Sequence, residues 1–243
     1  MSDHPDPVSP TGMPHVIDHQ HADVTGGWLR AATFGAMDGL VSNTALIAGV
    51  AASASAQTVV LSGVAGLLAG AFSMALGEYT SVTTANEQID SEVKVEKRSF
   101  RRHPQAEKEE LVAMLVEMGL TADTATIATD EIHRDETKAL NFHLVQELGV
   151  HPSEKPSPWT AATSSFLTFA IGAIIPLIPY LLGFESLWAG LACGGIGLLI
   201  AGGLAARFTK KSKWMGAVRQ LAFGAVAIAA TYVVGTLIGT VTT

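Results

Sequence analysis

Five stretches of this chain are apolar over roughly the 20 residues that a helix needs to cross a hydrocarbon core. They cover about 29–52, 58–80, 160–183, 186–206 and 217–240. Polar residues are distributed unevenly between them. Residues 1–27 are rich in Pro, Asp, His and Gly, and residues 84–157 carry a dense mixture of acids and bases. The pattern predicts an all-α, five-helix transmembrane protein with a three-helix insert between helices 2 and 3. Four segments follow: a disordered, His-bearing tail over 1–27, transmembrane helices 1–2 over 28–83, the insert over 84–157, and transmembrane helices 3–5 over 158–243.

Local signals refine this plan. Pro176 and Pro179 should kink the third span near its far end. Only Gly183 to Glu185 separate the third and fourth spans, which predicts a tight hairpin. No Gly or Pro lies between Glu78 and His103, so the second span should run on into the insert to about Arg102. Pro104 then opens a helix over 105–118, which Gly119 ends. Leu111, Met114, Leu115 and Met118 give it an apolar stripe. Thr121 is placed to cap a third helix over about 122–148, closed by Gly149. Small residues recur four apart at Gly35/Gly39, Gly66/Gly70, Gly190/Gly194 and Gly235/Gly239 and permit close helix approach.

Composition agrees with a membrane protein: 48% of the 243 residues are hydrophobic and 15% are charged, against the ~25% charge of ordinary soluble domains. Charge also gives an orientation. With five spans, the N-terminus, the insert and the 207–216 loop share one side. All 15 Lys and Arg residues lie on that side or at its edge: Arg30, nine from Lys94 to Lys155, and five from Arg207 to Arg219. The positive-inside rule then makes the N-terminus and insert cytoplasmic, and a multi-pass protein of a cell (inner) membrane is expected. Residues 1–27 lack the basic and apolar regions of a signal peptide. The lone Cys193 builds no disulfide framework or cysteine metal site. The net charge of -7 is confined to a few segments and points to no nucleic-acid partner.

The acids inside or beside apolar runs carry the chemistry. Asp38 lies eight residues past Arg30, about 12 Å along a helix. A carboxylate at that depth costs at least ~2.5–3.5 kcal/mol. It therefore lies on a wet path or bonds Ser42, Asn43 or a neighbouring helix. Met74 and Glu78 share one helical face a turn apart, and a thioether beside carboxylates suits a borderline ion such as Fe²⁺. The alternatives are that Met74 only packs and that Glu78 is a plain interfacial acid. In the insert, Glu107 and Glu110 share a face, as do His143 and Glu147. Carboxylates with an imidazole are the usual shell for Fe²⁺, Mn²⁺ or Zn²⁺, although acids on a helix are also its ordinary solvated face. No Glu-x-x-His pair occurs, which argues against a di-iron oxidase, and no G-x-x-x-x-G-K-[ST] loop provides for an ATP-driven pump.

Several segments together resemble the vacuolar iron transporter family, in a bacterial-type form: Gly26–Val41 (GGWLRAATFGAMDGLV), Ala69–Val82 (AGAFSMALGEYTSV), His103–Leu111 (HPQAEKEEL), Glu147–Val150 (ELGV) and Thr168–Pro176 (TFAIGAIIP). The resemblance implies a homodimer with the ion path between subunits, lined by the first two helices. It implies a secondary transporter, not an enzyme, that moves Fe²⁺ and often Mn²⁺ out of the cytoplasm in exchange for protons. No prosthetic group is implied; the metal is the substrate, and the insert has ligands fit for Zn²⁺ as well. Asp38 and Met74 match the family's membrane path, and Glu96, Glu107, Glu110 and Glu147 match acidic ligands of its cytoplasmic domain. Departures stand at Ser99, where the family expects Glu, at His143 and Leu144, and at Gly66, where plant-type members carry a membrane Glu. Glu78 is expected to supply that missing carboxylate. The competing expectation is a membrane-anchored ferroxidase, iron-storage or metal-sensing protein.

Overall fold

The computed structural model describes residues 27–149, 155–208 and 212–242. The expected tail over 1–27 lies almost wholly outside the described residues. Among those described there are helices and no strands. Five helices are long and apolar enough to cross a membrane: Trp28–Ala51 (α1), the first part of Ala56–Arg102 (α2), Pro158–Leu181, Leu187–Arg207 and Lys213–Ile238. The chain is thus a multi-pass integral membrane protein.

α1 is the hub of the bundle. It packs on α6 (Pro158–Ile174), α9 (Lys213–Thr242), α2 and α8 (Leu187–Phe208). Its closeness to α6 needs glycine on both helices. A Cβ on Gly39 would lie 2.2 Å from the Phe169 carbonyl oxygen, and one on Gly172 would lie 2.4 Å from that of Ala36. Backbones at that separation exclude any side chain. The Gly35/Gly39 spacing therefore serves the α1–α6 contact.

The third span breaks where its prolines stand. α6 ends at Ile174, a 3₁₀ turn spans Ile175–Leu177, and α7 covers Ile178–Leu181. Pro176 and Pro179 lack the N–H groups a continuous helix would need. The chain then turns through Gly183, whose φ of 88° suits glycine, into α8. The hairpin is as tight as the sequence implies.

The second span is one 47-residue helix, α2, that runs without interruption into the insert. α3 (Pro104–Glu117) follows, opened by Pro104. The single helix expected over 122–148 is instead two: α4 (Ala122–Ile132) and α5 (Glu136–Leu148). The break at His133–Asp135 has a local cause. The Asp135 side chain accepts from the backbone N–H groups of Thr137 and Lys138, which caps a new helix. α3 and α4 pack through Leu111, Leu115 and Ala125. α5 closes on α2 through Phe100, Ala139, Leu140 and Leu144. The exit of the insert is tied back to α2: Asn86 Nδ2 donates to the Pro156 carbonyl at 3.0 Å, and Lys155 pairs with Asp90, whose carboxyl that ammonium holds below its ordinary range.

Candidate metal centre

Three helices of the insert bring four of the expected ligands together. α2 supplies Glu96, α3 supplies Glu107, and α5 supplies His143 and Glu147. His143 is 0% exposed. Its Nδ1 lies 2.9 Å from Glu147 Oε1, 3.6 Å from Glu96 Oε1 and 3.6 Å from Glu107 Oε2. Ligand atoms of Glu96, His143 and Glu147 all lie within 4.8 Å of one another, close enough to share one ion. Glu107 is 4% exposed, an unusual place for a carboxylate without a partner charge. Glu110 stays exposed at the rim and acts on the cluster through its charge.

The electrostatics are those of a site short of positive charge. Burial first, then the charges of Glu147 and Glu107, push the Glu96 carboxyl up from 4.5 to about 7. Glu96 Oε1, Glu107 Oε2 and His143 Nε2 are buried without hydrogen-bond partners. A divalent cation would neutralise the carboxylates and satisfy these oxygens. Three carboxylates and one imidazole suit Fe²⁺, Mn²⁺ or Zn²⁺.

Residues around the cluster account for its shape. Ser99, which stands where a further acid was expected, donates its hydroxyl to Glu107 Oε1 and so orients that carboxylate. Leu144 is 1% exposed and belongs to the apolar core between α2 and α5. His133 escapes a reading of the sequence by periodicity, because it sits in the unexpected break between α4 and α5. Its ring stacks on Phe100 at 5.7 Å and meets His143 edge-on at 5.6 Å. Its Nδ1 faces the Thr129 carbonyl at 3.0 Å, and burial holds it below its ordinary pKa. The only advance signal was Asp135, an N-cap residue two positions later.

The membrane residues are more dispersed. Asp38 is half-buried in α1 and accepts a hydrogen bond from Ser42, one of its expected alternatives. Met74 is half-buried on α2 and packs toward the Phe169 cluster of α6. Glu78 is buried and paired with Arg30 of α1 at 2.8 Å. That ion pair joins the first turn of α1 to the middle of α2. Among the described residues no hydrogen bond or ion pair links Glu78 to Asp38 or Met74.

A five-span helical protein with acids gathered around a buried imidazole on the extension of one span is a membrane protein with a site whose chemistry suits a cation. Residues 29–236 match the model described as the VIT family, and the chain belongs to that family. It is 35% identical over 228 residues to a vacuolar iron transporter of Acanthamoeba castellanii, covering 90% of this chain and 82% of that protein. It is 31% identical over 238 residues to vacuolar iron transporter 1 of Oryza sativa subsp. japonica, covering 91% and 93%. To vacuolar iron transporter homolog 1 of Arabidopsis thaliana it is 34% identical over 217 residues, covering 88% and 84%.

Proposed function

We propose that this protein is a secondary transporter that moves Fe²⁺ and/or Mn²⁺ out of the cytoplasm in exchange for protons. The observation that carries this reading is the cluster of Glu96, Glu107, His143 and Glu147. One of the three helices that supply it, α2, continues into the membrane and packs there on α1, the helix that carries Asp38. The names of the relatives support iron as the substrate. The positive-inside count supports a cytoplasmic N-terminus and insert. Zn²⁺ fits the insert ligands as a competing ion.

The mechanism follows from the ligand chemistry. The insert collects the ion, which displaces the proton from Glu96 as it binds. The ion passes the Arg30–Glu78 pair into the seam of α1 and α2, where Asp38 and Met74 replace part of its hydration shell. Protons arriving from the far side neutralise the Asp38 carboxylate and release the ion. Glu78 acts at the mouth of this seam. The exposed apolar face of α2, with Leu61, Leu68, Phe72 and Leu76, suits a second copy in a homodimer. An oxidase is disfavoured by the absence of a Glu-x-x-His pair. The test is uptake of Fe²⁺ (kept reduced with ascorbate) and of Mn²⁺ into proteoliposomes. Uptake that accelerates when the lumen is acidic supports the reading. Uptake indifferent to the pH gradient removes proton exchange, and no uptake of either ion removes transport.

A further inference from the structure

A groove of about 530 Å³ lies between α2 and α5, and none of the four cluster residues lines it. Its floor is apolar: Val93 from α2, Leu140 and Leu144 from α5. Lys97 and Arg101 stand along its α2 wall, and its α5 wall carries one acid, Glu136. The basic wall is part of a longer stripe. Lys94, Lys97, Arg98 and Arg101 recur at three- and four-residue spacing and so share one face of the helix, and all four are exposed. Among the described residues none of them pairs with a carboxylate; the lysine pairs are those of Lys108, Lys138 and Lys155. Like charges on one face repel one another, and an acidic occupant removes that repulsion. An apolar floor beneath a basic wall suits an acidic segment that also carries apolar side chains.

Such a segment lies in the chain itself. Residues 1–26, outside the described residues, carry Asp3, Asp6, Asp18 and Asp23 and no Glu, Lys or Arg. Val8, Met13, Val16 and Ile17 lie among these acids. The segment joins the structure on the side of the insert. Gly27 precedes Arg30, which pairs with Glu78 of α2, and α2 runs on from Glu78 to the groove. Lys97 and Arg101 lie about 28 and 35 Å beyond Glu78 along that helix. The chain from Asp6 to Gly27 can extend up to about 70 Å, well beyond that distance. Tethering also keeps the segment at roughly millimolar effective concentration, so weak ion pairs suffice. We propose that the acidic segment Asp3–Asp18 docks in this groove and straps α5 to α2. The contact it covers is the one that brings His143 and Glu147 of α5 to Glu96 of α2. The buried apolar cluster of that contact is small: Phe100, Ala139, Leu140 and Leu144. Docking therefore tightens the metal centre, and a bound ion tightens docking by the same factor; this effect rests on the metal-binding reading above.

The test uses the full chain in detergent and a carbodiimide, which joins a carboxylate to a lysine amine where the two touch. Trypsin then releases the segment as one peptide, Met1–Arg30, since no Lys or Arg precedes Arg30. Links from Asp3, Asp6 or Asp18 to Lys94 or Lys97 are expected at about 20 mM salt and should be largely lost at about 500 mM. Links to Lys108, Lys138 or Lys155 instead, or no links of this peptide, overturn the proposal. Mn²⁺ calorimetry supplies a second readout. Lys97→Gln with Arg101→Gln, both at exposed positions, should weaken Mn²⁺ binding about threefold. Asp3→Asn, Asp6→Asn and Asp18→Asn combined should do the same, and the two sets together should do no more. Removing two cations beside the centre would by charge alone strengthen Mn²⁺ binding. Unchanged or tighter binding in the Lys97/Arg101 variant therefore also overturns the strap. A wild type that links as expected but binds no Mn²⁺ would support the docking and overturn the metal reading of the insert.

Discussion

The insert and the α1–α2 seam treat charge in opposite ways. The insert crowds Glu96, Glu107 and Glu147 around one buried imidazole and leaves several of their atoms unsatisfied. The seam spaces its polar groups about one to two turns apart, each held by a single neighbour: Glu78 by Arg30 and Asp38 by Ser42. Crowded ligands bind an ion tightly and compete with protons for it. Spaced ligands bind it weakly in turn and let it move on. The difference suggests capture in the insert and translocation in the seam.

The largest effect should come from the seam. Asp38→Ala is expected to lower metal flux in proteoliposomes by at least about 100-fold, while Mn²⁺ binding to the purified protein, measured by calorimetry, stays intact. Retained flux would dissolve the comparison. The next effect belongs to the insert and follows from the Glu96 carboxyl near 7. Above that pH the ion meets a ready carboxylate. Below it the ion must displace a proton, so affinity should fall by up to about tenfold per pH unit for this one group. Calorimetry at pH 8 and pH 6 checks this, and Glu96→Gln should flatten the dependence.

The same group gives a stability effect of opposite sense in the metal-free protein. The folded state keeps the Glu96 proton between about 4.5 and 7, where the unfolded chain has lost it. This contribution to stability is therefore present at low pH and declines as pH rises through that window. Hydrogen exchange of the α2–α5 contact should show more protection at pH 5.5 than at pH 7.5, and added metal should restore it at the higher pH. The smallest effect should be at the mouth. Glu78→Gln weakens the pair with Arg30 and is expected to slow flux a few-fold. Unchanged, still proton-coupled flux would take Glu78 out of the path.

The five spans, the proline break and the continuity of α2 are legible in the sequence because each has a strong local cause: apolar length, a missing N–H, or the absence of helix breakers. The break at His133–Asp135 is not, because neither Gly nor Pro marks it and only the capping carboxylate of Asp135 makes it. The His143–Glu147 pair could be read from its one-turn spacing. Its meeting with Glu96 and Glu107 could not, since three helices far apart in the chain supply them; only the family resemblance pointed there. Ser99 looked like a missing ligand and is a donor that positions Glu107. Asn43 looked like a partner for Asp38 and instead bonds α6, because five residues along a helix turn a side chain well away from the first.

The division between capture and translocation is tested most directly by the concentration dependence of Mn²⁺ flux in His143→Ala proteoliposomes. Removing the imidazole at the centre of the cluster should raise the half-saturating concentration by about 10-fold or more while leaving the maximal rate within about twofold of wild type. A maximal rate that collapses while half-saturation is unchanged would contradict the account, because the insert would then take part in the translocation step itself.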